Sequence, residues 1–222
     1  MDDMIFGTGP NAVSQPVTRT EDPRLLRGNG VYTDDKNLAG QAYASFLRAS
    51  VAHGEITKLD VTAAKAAPGV LAVYTAGDLK AADLGSLPNN LPVKSKDGTP
   101  LIKPVRPILA TGRVRHVGQP IVAIIAESAA QARDAAELVE LDVTPLPPVT
   151  SLEEAVREGA PQLHDEAPNN VCLDFQMGDA AATAAAFAEA AHVTRLHLDN
   201  NRCFVSAMEP RRAACSSATS TT

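Results

Sequence analysis

The sequence contains no tryptophan, and aromatic residues make up only 4% of its 222 residues. A hydrophobic core must therefore be built mainly from Ala, Val, Leu and Ile, within an apolar fraction of 45%. A chain of this length can bury roughly 70% of the surface that it exposes when unfolded. The composition is thus sufficient for one large domain, or for one domain and part of another.

Cysteine is scarce as well. Cys172, Cys203 and Cys215 are far apart in the sequence, and no Cys-x-x-Cys pair occurs. An odd number of cysteines at these distances favours reduced thiols over a disulfide framework.

The sequence has no basic cluster and no long apolar run. Its formal net charge is −6, and Lys and Arg are scattered, which argues against nucleic acid and against an anionic membrane surface as partners. The longest apolar run, residues 121–126, is too short to span a bilayer. Residues 1–4 are acidic and are followed by no apolar signal segment, so we expect a cytoplasmic protein.

Common catalytic and nucleotide-binding motifs are missing too. There is no Walker loop, no Gly-x-Ser-x-Gly and no His-Glu-x-x-His. Gly28-Asn29-Gly30 begins like a dinucleotide fingerprint, but it lacks the third glycine and the following helix. We interpret it as a turn.

The five histidines are the natural candidates for catalysis or metal binding. His53, His116 and His164 have no Cys, His or carboxylate partner at ligand spacing. His192 and His197 lie on a predicted strand, five residues apart, so they would point to opposite faces. All five are interpreted as surface or packed structural histidines.

Asp34 and Asp35 are adjacent acids in a predicted turn, where such a pair is usually solvated rather than bound to a cation. The residues alone therefore predict no catalytic, cofactor-binding or metal-ligating side chain.

The hydrophobic pattern predicts alternating short strands and helices. Strands are expected at 31–32, 41–48, 56–61, 70–74, 121–126, 139–143 and 193–198. Helices are expected at 63–67 after an N-cap at Thr62, from a Ser128/Gln131 capping box to 138, from Ser151 to Gly159, and from an Asp179 cap to about 191. The strands at 121–126 and 139–143 flank a helix and predict a crossover unit, right-handed if they are parallel. Residues 80–112 predict a long surface loop.

Several short strings occur in a family's order over most of the chain. They are RTEDPRLLRGNGVYTDD at 19–35, FLRAS at 46–50 with His53, PGV at 68–70, VRHVGQP at 114–120, DAAELV at 134–139, LH at 163–164 with NV at 170–171, GD at 178–179 and MEPR at 208–211. Together they resemble the large, molybdenum-binding subunit of the xanthine dehydrogenase/aldehyde oxidase/carbon monoxide dehydrogenase family.

The resemblance implies an α+β fold, with an α/β hammerhead domain (a mixed sheet with packed helices) over residues 19–150. A flexible arm at 1–18 would precede it. Residues 151–171 would connect it to the incomplete beginning of a molybdenum-binding domain at 172–212. Residues 213–222, rich in Ser and Thr, would form a disordered tail.

The resemblance also implies a molybdenum-dependent oxidoreductase acting on aldehydes, heterocycles or carbon monoxide. Such an enzyme carries a molybdenum-pterin cofactor and works with iron–sulfur and FAD-binding subunits or domains. The family's glycine-rich cofactor loops and its catalytic glutamate follow the MEPR string, so no catalytic, cofactor or metal residue is carried over to this chain.

We therefore interpret the chain as an amino-terminal fragment that binds no cofactor and is not catalytic alone. Truncation or frameshift of the gene, deliberate shortening and a split subunit all stay open. The alternatives are a stand-alone structural or interaction module and a non-functional product of a damaged gene.

Overall fold

The computed structural model describes residues 19–89, 91–198, 200 and 206–207, apart from the side chain of Asp34. The chain divides into two units: a terminal unit, Met1–Ala39 with Leu196–Thr222, and a central unit, Gly40–Arg195. The predictions of an amino-terminal arm and a disordered tail lie outside the described residues, as do Cys203, Cys215 and the MEPR string.

The central unit contains all the described strands and five of the described α-helices. The strands are β1 (Tyr43–Arg48), β2 (Gly54–Asp60), β3 (Val70–Tyr74), β4 (Arg113–Val114), β5 (Pro120–Ala126) and β6 (Glu140–Pro145). The helices of the whole described chain are α1 (Asp22–Leu26, in the terminal unit), α2 (Thr62–Ala66), α3 (Ala76–Ala81), α4 (Ala129–Glu137), α5 (Leu152–Ala155) and α6 (Ala180–Glu189). Single 3₁₀ turns lie at Thr33–Asp35 and Pro168–Asn170.

The strands form two three-stranded sheets, in the orders β1-β5-β3 and β4-β2-β6, and every described pairing is antiparallel. The predicted α+β fold class is confirmed, whereas two antiparallel sheets stand where one mixed sheet was expected. The predicted crossover unit does not form, because β5 and β6 join different sheets. The pattern explains the choice: β5 is apolar on both faces and suits a central strand, while β6 alternates and suits an edge.

The core lies around β5. Ile121, Val122 and Ile124 are fully buried there, and the small side chains of Ala64 on α2 and Ala135 on α4 pack against the same cluster. Alanines on the buried helix faces let the backbones of α2 and α4 approach the sheet closely. The sequence's shortage of aromatics is thus met by close packing of small side chains.

Three predicted helix starts are confirmed. The Ser128 hydroxyl donates to Gln131 Oε1 (2.7 Å) and accepts from the Gln131 backbone N–H (3.3 Å) at the start of α4. Ser151 Oγ accepts from the Glu154 N–H in front of α5, and Asp179 Oδ1 accepts from the Ala182 N–H in front of α6. Each cap satisfies a backbone donor that the first helical turn leaves open.

Two local predictions were wrong. Thr62 is the first residue of α2 rather than its cap, and the Asp60 carboxylate accepts the Thr62 N–H at 2.8 Å instead. Residues 31–32 form no strand, because Tyr32 N–H donates to Asp35 Oδ2 (2.9 Å) and so begins the 3₁₀ turn.

Residues 193–198 carry no strand either. A strand requires backbone hydrogen bonds from a neighbouring strand, and no described strand runs beside these residues. The argument that placed His192 and His197 on opposite faces of a strand therefore does not apply.

The long loop is largely as predicted. Beyond α3, the described residues up to 112 contain only one isolated bridge, between Lys94 and Pro100. The loop is not wholly superficial, however, since Leu109 and Ala110 are buried in the core. Its far end is therefore fixed, while residues 91–106 lie at the surface.

Candidate functional site

The VRHVGQP string forms a tight turn between β4 and β5 that is fixed from the end of β1. Arg48 Nη1 donates to the Gly118 carbonyl at 2.9 Å, and the Gly118 N–H donates to the Ala49 carbonyl at 2.8 Å. The Ala49 N–H in turn donates to the Gln119 carbonyl at 2.9 Å. Gly118 has a φ of +82°, a conformation that glycine adopts without strain.

A buried amide and a guanidinium complete this turn. The Gln119 side chain is 6% exposed, and its Oε1 accepts from the Arg115 N–H at 2.7 Å. Arg115 Nε donates to the Leu163 carbonyl at 2.7 Å, which ties the turn to the segment that follows α5. Between these anchors His116 and Val117 are exposed. These hydrogen bonds hold the turn in place and leave the side chains of His116 and Val117 facing solvent.

His53 is the most buried of the histidines, with 5% of its surface exposed. Its Nδ1 lies 2.8 Å from the Pro147 carbonyl oxygen, and because a carbonyl can only accept, Nδ1 carries the proton of this bond. Among the described residues Nε2 has no hydrogen-bond partner. The ring joins the turn after β1 to the end of β6.

His164 is half-buried beside Arg115. Burial and then the positive charge of Arg115 lower the pKa of His164 below its usual value, against the weaker opposite effects of Glu166 and Asp165. His192 Nε2 lies 3.1 Å from Thr194 Oγ1 at the surface. None of the histidine contacts described here joins one histidine to another.

Asp35 and Gly28, both in the string at residues 19–35, have structural roles. The Asp35 carboxylate accepts the Tyr32 N–H, and the side chain of Asp34 lies outside the described residues. Gly28, with a φ of +73°, ends α1 and donates its N–H to the Leu25 carbonyl. The prediction that Gly28-Asn29-Gly30 is a turn is confirmed.

Asn170 is a side chain whose role the sequence did not reveal. Its Nδ2 donates to the carbonyls of Ala155 (2.8 Å) and Pro161 (3.0 Å), and its Oδ1 accepts the Leu163 N–H (3.0 Å). Its φ is +57°, which asparagine tolerates better than most residues. The available signal was the pair Asn169-Asn170 after a proline, in a segment that the sequence predicts as a connection and that contributes Asn170-Val171 to the family strings.

Comparison with known proteins identifies the family to which the chain belongs. Residues 27–147 match the family model described as the aldehyde oxidase and xanthine dehydrogenase a/b hammerhead domain. The chain is 36% identical over 203 residues to the large subunit of nicotine 6-hydroxylase from Paenarthrobacter nicotinovorans, covering 90% of this chain and 24% of that protein. It is 33% identical over 203 residues to the carbon monoxide dehydrogenase large chain of Afipia carboxidovorans, covering 86% and 24%.

Solved structures agree. Reconstituted CO dehydrogenase from Oligotropha carboxidovorans superposes with a TM-score of 0.64 at 33% identity, covering 79% of this chain and 22% of that chain. Quinoline 2-oxidoreductase from Pseudomonas putida 86 superposes with a TM-score of 0.56 at 35% identity, covering 67% and 18%.

The fold is thus that of the hammerhead domain of molybdenum hydroxylase large subunits. The chain belongs to the aldehyde oxidase and xanthine dehydrogenase family, and it spans about a quarter of the length of the relatives it matches. The expected family resemblance is confirmed. Among the described helices, none has the length and apolar content needed to cross a membrane.

The described residues do not fit the molybdenum-pterin group of this family. In the part of the chain that the structure describes, no three His, Cys, Asp or Glu side chains lie where they could hold a metal ion. The cavity between residues 95–102 and 171–174 measures about 170 Å³, below the roughly 300–1,000 Å³ of typical small-molecule sites. A second cavity of about 340 Å³ is lined by Lys65 and residues 70–73, and Lys65 supplies its only polar side chain.

Proposed function

We propose that the chain supplies the amino-terminal hammerhead region of a molybdenum hydroxylase large subunit and performs no oxidation on its own. One observation carries the proposal: 90% of the chain aligns with a relative of which it covers only 24%. A region that matches throughout but represents a quarter of an enzyme contributes scaffold, unless its own residues supply the reactive groups. The described residues contain no group of three His, Cys, Asp or Glu side chains that could hold a metal ion.

Within this proposal, residues 19–150 form the hammerhead domain, 151–171 form a connection, and 172–212 begin the molybdenum-binding domain. The family model's span of 27–147 supports the first boundary. The start of a further domain at residue 172 is supported by α6, which buries none of its residues. An exposed helix is expected where the rest of its domain lies outside the chain.

The intact subunit would belong to a cytoplasmic oxidoreductase that acts on a heterocycle, an aldehyde or carbon monoxide. Iron–sulfur and FAD-binding subunits or domains would be its partners, and the molybdenum-pterin group would bind outside this chain. The support is family membership together with relatives named for nicotine 6-hydroxylation and for carbon monoxide oxidation.

Metal analysis of the purified chain tests this proposal. The chain is expressed in a molybdenum-replete host beside intact carbon monoxide dehydrogenase as the positive control. We expect stoichiometric molybdenum and dye reduction in the control and neither in the chain. Molybdenum bound one to one with dye-reducing activity would refute the proposal.

The DNA downstream of the coding sequence separates the possible origins of the chain. Glycine-rich cofactor loops encoded in another frame directly downstream would indicate a broken large subunit. The same loops in a separate gene would indicate a split subunit. Neither would be expected of a stand-alone interaction module, so their complete absence would favour that alternative.

A further inference from the structure

Residues 171–174, here called the clasp, lie along the tip of the long loop, residues 95–102. The Ile102 N–H donates to the Cys172 carbonyl at 3.0 Å, and the Lys96 N–H donates to the Asp174 carbonyl at 2.8 Å. These two bonds lie at opposite ends of the tip. The clasp therefore holds the whole tip rather than one point of it.

Side chains add two further contacts between the tip and the clasp. The Asp174 N–H donates to Ser95 Oγ at 3.2 Å, and Lys96 Nζ lies 2.7 Å from Asp174 Oδ2. Ser95 and Asp174 are 79 positions apart in the sequence. All four contacts depend on a clasp of only four residues, so moving the clasp breaks them together.

The clasp and the tip together line a cavity of about 170 Å³, and the half-buried residue Cys172 belongs to this lining. No apolar side chain of the tip or the clasp is fully buried. Polar contacts at the surface with little apolar burial are typical of a segment that opens at low free energy.

The residues after the clasp have little to hold them in place. Phe175, Met177 and Phe187 are exposed, and α6 buries none of its residues. A short helix without packing is marginal in water, so α6 becomes stable when another surface covers it. The clasp precedes α6 in the chain and is bonded to the loop tip, so a movement of α6 on docking would displace the clasp and with it the tip.

We propose that residues 171–174 act as a mechanical link that opens as one unit, releasing the loop tip and exposing Cys172 when the following segment moves. The clasp thereby couples the position of α6 to the order of the long loop. This coupling is a conformational property of the chain and does not depend on its proposed place in an oxidoreductase.

Hydrogen exchange and thiol labelling on the full chain test the link. The probes are the amides of Lys96 and Ile102 and the labelling rate of Cys172, resolved from the other cysteines by mass spectrometry. The variants are Lys96→Met and Asp174→Asn, each of which removes the ion pair and keeps side-chain size. We expect all three rates to rise by one common factor, roughly 1.5- to fivefold for an exposed ion pair.

Lys103→Met is the matched control, since Lys103 is exposed on the same loop outside the clasp contacts. It should leave all three rates unchanged. The amides of Val122 and Ile124 in β5 report whether any variant loosens the core; if Asp174→Asn does so, Lys96→Met decides the outcome. Faster exchange at Lys96 with unchanged exchange at Ile102, or unchanged labelling of Cys172, would overturn the proposal.

Discussion

Gly69 lies directly against the side-chain amide of Gln131. Its φ is +76°, and a Cβ at this position would overlap the Gln131 carboxamide. That carboxamide is itself held by the Ser128 hydroxyl, and the Glu127 N–H donates to the Gly69 carbonyl at 2.9 Å. The turn between α2 and β3 and the start of α4 thus share one contact, which only glycine permits.

We predict that Gly69→Ala destabilises the central unit by about 1.5–3.5 kcal/mol. Left-handed backbone costs a non-glycine residue about 1–2 kcal/mol. The added methyl group displaces the Gln131 carboxamide from the Ser128 hydroxyl, and the lost hydrogen bond adds about 0.5–1.5 kcal/mol. Urea unfolding of the purified variant measures the loss. Gly159→Ala is the matched control, because Gly159 has a φ of +78° with no atom near its missing Cβ. It should cost only about 1–2 kcal/mol, and an equal loss in both variants would show that the contact with Gln131 is unimportant.

The sequence predicts the local structure around Gly69 and around Gln131, but it does not predict that the two residues are in contact. It predicts that a helix ends at residue 67 and a strand begins at residue 70, and that Ser128 with Gln131 forms a capping box. Both are local patterns, which neighbouring residues determine. The distance in sequence between Gly69 and Gln131 carries no local signal, so their contact appears only in the fold.

The division of the strands into two sheets was not predicted, because strand pairing also joins residues that are far apart in the sequence. The apolar pattern of β5 predicted a strand covered on both faces, which is correct, but it does not specify which strands flank it. The Asn170 side chain binds three separate backbone groups that only the folded chain brings together. Family strings, by contrast, identified the fold because their order is itself non-local information.

We predict that Asn170→Ala destabilises the chain by about 2.5–5.5 kcal/mol. The substitution removes three hydrogen bonds, which together contribute about 1.5–4.5 kcal/mol. It also places alanine at a φ of +57°, which asparagine tolerates better, at a cost of about 1 kcal/mol. Thermal unfolding followed by circular dichroism measures the change.

Asn170→Gly separates the two causes, because it loses the same hydrogen bonds and removes the backbone strain. It should be about 1 kcal/mol more stable than Asn170→Ala. Equal stability of the two variants would mean that the left-handed conformation costs nothing here. A loss below about 0.5 kcal/mol in both would mean that the three hydrogen bonds contribute little.

Stability should fall in mildly acidic solution because of His164. Burial, and then Arg115, lower its pKa in the folded chain, so the unfolded chain takes up a proton first as the pH falls. The contribution is therefore complete above the ordinary unfolded value of about 6.5 and is lost as the pH falls through the lower folded value. Urea unfolding at a series of pH values from about 7.5 to 5.5 measures this slope.

His164→Gln should flatten the pH dependence in that range, since glutamine does not titrate. His116→Gln, a substitution at an exposed histidine on the β4–β5 turn, controls for the loss of a histidine in general. An unchanged slope in His164→Gln, or an equal flattening by both variants, would contradict the assignment to His164.

Residues 193–198 should exchange their amide hydrogens far faster than residues 121–126. The β5 segment is hydrogen-bonded on both sides, by β1 and by β3, and most of its side chains are buried. No described strand pairs with residues 193–198, and Leu196 and Leu198 expose most of their surface. Amides outside a sheet open at low free energy, whereas amides of a central strand open only with the whole unit. Hydrogen–deuterium exchange on the monomeric chain measures both segments at once, with the edge strand β6 as an intermediate reference. Equal protection of 193–198 and 121–126 would mean that the chain completes its own fold there, and the proposal that residues 172–212 begin a second domain would lose its physical support.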